Sequence, residues 1–168
     1  GGIMNSVKIV TAMCLVYGTT WAADIPITGE VQSRCTIDTD TSGVYGNPNA
    51  YTLTTTPADG GVLPITRFDV TLADAYYAKV THPDSFSTAP TANATVTFTG
   101  ETEVSAVGDA GMSGYEAAKT TFGNSTQYDL TVAGSLWLKT SSTATNGGDK
   151  AFPSGTYRSV VVAECIAK

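Results

Sequence analysis

Charged side chains are scarce in this chain, and basic ones scarcer still. Of 168 residues only 14% are Asp, Glu, Lys or Arg, with 9 basic against 15 acidic and a formal charge of −6. Nucleic-acid binding needs clustered Lys and Arg to displace counterions from phosphates, so that class of partner is excluded. Histidine occurs once, at His82, ahead of Pro83. With a single imidazole and no acids at ligand spacing around it, neither a nucleophile–base pair nor a metal site takes shape. No enzyme activity is expected, and no cofactor is implied. A long apolar run is missing too: the most apolar stretch, Ile9 to Tyr17, falls well short of the about 20 residues that a spanning helix needs. No internal repeat of useful length is visible.

What is abundant is Thr, Ser, Gly, Ala and Val, the composition of an exported β protein with small side chains. The first residues have the form of an export signal. Met4 opens a short polar region with Lys8, the apolar stretch follows, and Thr20-Trp21-Ala22 supplies small residues at cleavage spacing. Cleavage after Ala22 leaves about 146 residues, one domain by length. With Lys8 gone, 8 of the 9 basic residues face 15 acidic ones, a formal charge of −7 spread along the chain as a solubilising surface. Cys14 leaves with the signal. Cys35 and Cys165 remain, and in an exported chain two cysteines most simply pair, joining the first strand to the last. Closing a loop of about 130 residues is worth on the order of 4 to 5 kcal/mol by the loop-entropy estimate. The alternative reading of residues 1–22 is a retained N-terminal helix on which a filament packs.

Segment 23–34, ahead of the domain 35–168, stands out. Ile25, Ile27, Gly29 and Val31 fall on one side of an extended chain, and Pro26, Thr28, Glu30 and Gln32 on the other. Such a segment is suited to lying in a groove while its backbone bonds a sheet edge, either in another copy or as the first strand of its own sandwich. Beyond Cys35, Thr36 to Asn49 reads as a turn-rich loop with at most a short strand. Strands are expected at Tyr51 to Thr56, Ile65 to Leu72 and Tyr76 to Thr81, with a polar loop from His82 to Pro90. Ala94 to Thr99 is next, followed by a turn at Gly100 and a looser alternation to Val107. Gly108 to Asn124 reads as a long loop with room for one helical turn at Tyr115 to Thr120. Tyr128 to Lys139 is the most apolar internal stretch, and Gly134 within it signals a bulge or a close backbone approach. Ser141 to Gly148 reads as a flexible connection. In the last strand, Gly155 to Ala167, the face carrying Tyr157, Ser159, Val161, Ala163 and Cys165 looks inward, because Arg158 and Glu164 favour solvent. About seven strands without a convincing helix make an all-β, immunoglobulin-like two-sheet sandwich.

Weaker signals in the chain each have an ordinary structural reading beside the functional one. Asp38 and Asp40 alternate as in a calcium loop, but the downstream glutamate and flanking helices are missing. Glu101 and Glu103 share one strand face, a geometry glycosidases use, though exposed same-face acids are far commoner. Trp137 with Tyr76 and Tyr77 has the makings of a sugar-stacking platform, against the ordinary role of aromatics as core or edge cover. Sequons stand at Asn93 and Asn124.

Two stretches resemble the pilins of the chaperone-usher pathway. ITGEVQSRCTI, Ile27 to Ile37, is similar to their glycine-containing first strand and cysteine, and SGTYRSVVVAEC, Ser154 to Cys165, is similar to their final strand with its inward tyrosine. The resemblance implies a sandwich lacking its seventh strand, with a groove beside the last one. A periplasmic chaperone would fill that groove first, and the N-terminal extension of the next subunit would replace it in a surface fimbria, after export through an outer-membrane usher. Carried onto this chain, Ile25, Ile27, Gly29 and Val31 are the donor residues, and Tyr157, Val161 and Ala163 line the acceptor side. Two features depart from the pattern. The partner of Cys35 lies in the last strand rather than the second, and the extension ahead of Cys35 is short. The competing expectation is a self-complete exported sandwich, an adhesin that binds a glycan or protein through its loops. Amino-terminal sequencing of the exported protein is expected to begin at Ala23; an end before Val7 would favour the retained helix.

Overall fold

In the computed structural model, residues 34–92 and 94–168 are described, together with Thr28. Segment 23–34 with its donor residues therefore lies outside the described residues, Thr28 and Arg34 apart, as does Asn93. Ten strands form two antiparallel sheets: β1 Cys35–Thr41, β2 Gly46–Asn49, β3 Thr52–Thr54, β4 Ile65–Val70, β5 Tyr76–Thr81, β6 Val96–Val107, β7 Thr120–Phe122, β8 Ser125–Leu130, β9 Gly134–Asn146 and β10 Val162–Ala167. The architecture is the expected all-β sandwich.

The six-stranded sheet is built around β9. On one side β6 pairs along its whole length, from Val96 opposite Asn146 to Val107 opposite Leu136. On the other side β4 pairs with the first half, and β3 with the second. β1 extends β4, and β2 extends β3. The four-stranded sheet has the order β10-β5-β8-β7. Ala78 and Val80 of β5, and Tyr128 and Leu130 of β8, face Phe68, Val70, Leu136 and Leu138 of the first sheet in one buried cluster. Each such aliphatic or aromatic side chain contributes roughly 1.5–3 kcal/mol on leaving water.

Several sequence expectations are corrected. Gly100 does not turn the chain, and β6 runs through it. A Cβ there would stand 2.5 Å from the Ser141 carbonyl oxygen and 2.7 Å from the His82 ring, so glycine serves close packing within a strand. Ser141 to Gly148 is not a connection: Thr140, Ser142, Ala144 and Asn146 alternate inward as the buried second half of β9. The apolar run from Tyr128 to Lys139 is two strands, parted before Gly134, whose φ of 145° only glycine adopts readily. Thr36 to Thr41 is strand rather than loop, fastened on its outer face where Arg67 reaches Asp38 at 2.9 Å and Asp69 at 3.0 Å. Asp38 therefore belongs to an ion pair within a strand and not to a calcium loop. The last strand starts at Val162, not Gly155.

The region 108–124 contains a 3₁₀ turn, Ala110–Gly114, the single helical turn α1, Tyr115–Ala118, and β7. Met112 and Tyr115 close one end of the core. The outer edge of β6 would otherwise offer free backbone groups to any passing strand. Here Glu116 accepts the Val104 N–H at 2.8 Å, and Lys119 donates to the Thr102 carbonyl at 3.2 Å. Partial burial pushes the Glu116 carboxyl up, but the hydrogen bonds from Lys119 and Val104 outweigh it and hold the carboxyl below the usual glutamate range. A carboxyl so lowered stabilises the fold above the unfolded value, about 4.3, and that contribution is lost as pH falls through the lower folded value. Hydrogen exchange at the Val104 amide, corrected for the intrinsic rate, is therefore expected to lose protection on acidification below the ordinary glutamate range. In Glu116→Gln this pH dependence should vanish.

Candidate functional site

The open edges of the two sheets, β1 and β10, lie on the same side of the sandwich. They are joined where Cys35 and Cys165 form a disulfide with Cα atoms 6.1 Å apart. Followed away from that bond, β1 runs up its sequence and the last segment runs back down its own. Among the described residues, β1 pairs only with β4, and β10 only with β5. Residues 159–161 belong to no ladder, lying between Arg158, bridged to Thr88, and Val162, paired with Thr81. Here the edges part around a groove of about 840 Å³. Thr39, Thr41 and Tyr45 form one wall and Tyr157, Ser159 and Val161 the other, with Leu53, Thr55 and Ser142 among the lining residues.

Side chains directed at the core are incompletely covered along both edges: on β1, Cys35 and Thr41 are half-buried and Ile37 and Thr39 exposed. Ile37 stands opposite the fully buried Phe68, hence on the core face, yet is 36% exposed. From Tyr157 to Cys165 every second residue is half-buried and those between are exposed, so the inward parity expected of the last segment is present, but no member of it is fully buried.

Two clusters shape the groove. The Tyr45 hydroxyl lies 2.9 Å from Ser142 Oγ and 2.6 Å from Ser159 Oγ, linking β9 to the last segment. The Ser142 amide donates to Thr55 Oγ1 at 2.9 Å. Behind them Phe86, from the loop expected to be merely polar, packs edge-on against Phe98 at 4.8 Å and Tyr157 at 5.1 Å. Tyr157 also meets Phe152 at 5.2 Å and donates its hydroxyl to the Pro153 carbonyl at 2.5 Å; desolvation raises its phenol above the usual tyrosine value.

Of the predicted acceptor residues, Tyr157 and Val161 line the groove, while Ala163 packs partly buried against the core nearer the disulfide. Tyr45, Ser142 and Ser159 are groove residues that the sequence reading did not assign, and Phe86 packs behind them on Tyr157. For Ser142 the run TSSTATN is polar on both faces and gives no period-two signal, and for Tyr45 and Phe86 no local pattern marks residues that act through distant partners.

The remaining candidates are dispersed. Glu101 pairs with Lys119 at 3.5 Å and Glu103 with Lys139 at 3.0 Å, so a lysine answers each carboxylate. The His82 ring lies over Gly100 with Nδ1 3.3 Å from the Pro83 carbonyl oxygen, and no nucleophilic hydroxyl among the described residues bonds to it. Trp137 alternates outward between buried Leu136 and Leu138 on the first sheet, whereas Tyr77 alternates outward on the second and Tyr76 packs toward the core. The three cannot form one sugar platform. Asn124 Nδ2 donates to the His82 carbonyl at 3.1 Å. Among the described residues no three metal-ligating side chains come together, and no helix is long and apolar enough to cross a membrane. The disulfide is compatible with an extracellular or periplasmic protein.

No protein-family model, curated protein or solved structure matches this chain.

The disulfide holds the two edges together across 130 residues of sequence. The double variant Cys35→Ala/Cys165→Ala is expected to lose about 4 to 5 kcal/mol of unfolding free energy, read as a lowered denaturant midpoint. An unchanged midpoint would mean that the edges are held by packing alone.

Proposed function

We propose that this protein is a structural subunit of an extracellular fimbria, polymerising head to tail as segment 23–34 of one copy enters the groove of the next. The observation that carries this reading is the pair of incompletely covered, core-directed edges on either side of a groove of about 840 Å³. A strand laid there would find two unpaired backbone edges and a row of inward positions to fill, which is how extended segments bind by β-addition. Ile25, Ile27 and Val31 supply three aliphatic side chains, worth roughly 1.5–3 kcal/mol each on burial, and Gly29 adds a position with no side chain to accommodate. Because donor and acceptor are different surfaces, the contact does not close on itself and generates a filament. Attachment to surfaces or biofilm formation would be the filament's role. In this scheme a periplasmic chaperone holds the groove before assembly at an outer-membrane usher, as the resemblance to chaperone-usher pilins implies.

A synthetic peptide spanning Ala23 to Arg34 tests the idea directly. Protein beginning at Arg34 is expected to stay unpolymerised and to gain thermal stability on adding the peptide, and excess peptide should cap polymerisation of the longer chain. Absence of any stability gain would refute strand exchange through this segment. A self-complete adhesin, by contrast, would remain monomeric whether or not residues 23–34 are present.

A further inference from the structure

The outer face of the four-stranded sheet carries a second concavity of about 600 Å³, where segment 110–118 meets the strands. It shares no lining residue with the groove. Its floor consists of outward-pointing residues in register: Tyr77 on β5 opposite Asp129 on β8, and Gln127 on β8 opposite Thr120 on β7. Thr131 continues this floor, and the backbone at Gly111 and Gly114 adds to the lining. A Cβ built on Gly114 would meet nothing within 4 Å, so the glycine leaves open space beside the cleft.

The chemistry of this lining is specific. Among the described residues, the Gln127 amide and the Thr120 and Thr131 hydroxyls hydrogen-bond to no protein group. They offer donors and acceptors side by side. Tyr77 supplies an aromatic ring next to them. Lys168 lies over one face of that ring, 5.2 Å from its centre, leaving the other face for a ligand, and pairs with both Asp129 and Asp74; Lys79, opposite Gln127, pairs with Glu164 at 3.6 Å, so two ammoniums face three carboxylates and the surroundings are net negative. An anion is therefore disfavoured, and no cationic charge is left over to attract one. A ring beside an uncommitted amide and two uncommitted hydroxyls, with the ion-paired Asp129 carboxylate still able to accept a further hydrogen bond, matches a pyranose, whose C–H face packs on an aromatic ring while its hydroxyls both donate and accept.

We propose that this cleft binds a neutral pyranose residue of a glycan. The assignment does not rest on the fimbrial reading, since a polymer and a monomer present the same cleft. Saturation-transfer difference NMR on the full chain, which reads monomer and polymer alike, tests it with the methyl glycosides of glucose, galactose, mannose and N-acetylglucosamine and with N-acetylneuraminic acid. At least one neutral glycoside is expected to give saturable transfer, and the acidic sugar none. Gln127→Ala should weaken binding roughly fivefold, as the loss of one hydrogen bond implies. Tyr77→Ala should weaken it further, and Trp137→Ala, on the other sheet, should leave it unchanged. Thr120→Val gives a second reading of the same floor should the Tyr77 variant fail to fold. The proposal is overturned if none of the four glycosides binds, if the acidic sugar binds more tightly than they do, or if Trp137→Ala abolishes binding that Gln127→Ala and Thr120→Val leave intact.

Discussion

The disulfide between Cys35 and Cys165 decides the shape of everything around it. It ties the outermost strand of one sheet to the outermost strand of the other at one end only. The mean strand directions of two twisted sheets packed face to face differ by up to about 30°, so their edge strands do not run parallel over their whole length. In this molecule the divergence falls between Thr39 and Thr41 on one side and Tyr157 to Val161 on the other, and the groove is the space it leaves. The cross-link thus restrains the edges and at the same time leaves them unpaired.

The interior is divided to match. Near the disulfide the core is aliphatic and aromatic, with Phe68, Val80, Leu136, Leu138 and Tyr128 excluded from water. Farther along β9 the inward positions become Thr140, Ser142, Ala144 and Asn146, and neighbouring hydroxyls satisfy one another: Thr102 with Thr140 at 3.2 Å, Tyr45 with Ser142 at 2.9 Å. Buried hydroxyls paired in this way avoid the cost of unmet hydrogen bonds. They also make this half of the interior tolerant of water at its margin. The aromatic group centred on Phe86 then supplies the apolar bulk that β9 does not.

How much of this was legible in the residues follows from the range of each interaction. Period-two alternation is local, and it revealed β5 at its true bounds, β4 nearly so, the inward parity of the last segment and the class of the fold. The disulfide followed from counting cysteines. Alternation failed where side chains were small and polar on both faces, so the central strand β9 was read as ending at Lys139 with its second half a loop. Gly100 misled because glycine both turns chains and permits close approach, and only the distant Ser141 and His82 decide between these. Tyr157 and Val161, singled out by the parity of the last segment, line the groove, but the Tyr45 bridge and the Phe86 cluster depend on partners far away in sequence, and nothing local encodes them.

Hydroxyls beside the groove bear on what an unfilled edge costs. A wholly aliphatic slot between two open strand edges would expose a continuous apolar surface backed by free backbone groups, the combination most prone to indiscriminate pairing. Here the slot is lined by Thr39, Thr41, Thr55, Ser142 and Ser159 as well as Leu53 and Val161. Water can solvate the hydroxyls while the groove is empty, so the apolar penalty is confined to a few positions. Under the proposed strand exchange, an entering strand would still gain aliphatic contacts and a backbone ladder, but only in a register that seats its apolar side chains on those positions and keeps them away from the serine and threonine oxygens. Mixed lining therefore exchanges some affinity for selectivity of register. The long free edge of β6 follows the opposite course, its backbone groups at Thr102 and Val104 being taken up by Lys119 and Glu116. One edge has backbone groups taken up by side chains of the segment that follows it, and the other has none so engaged among the described residues.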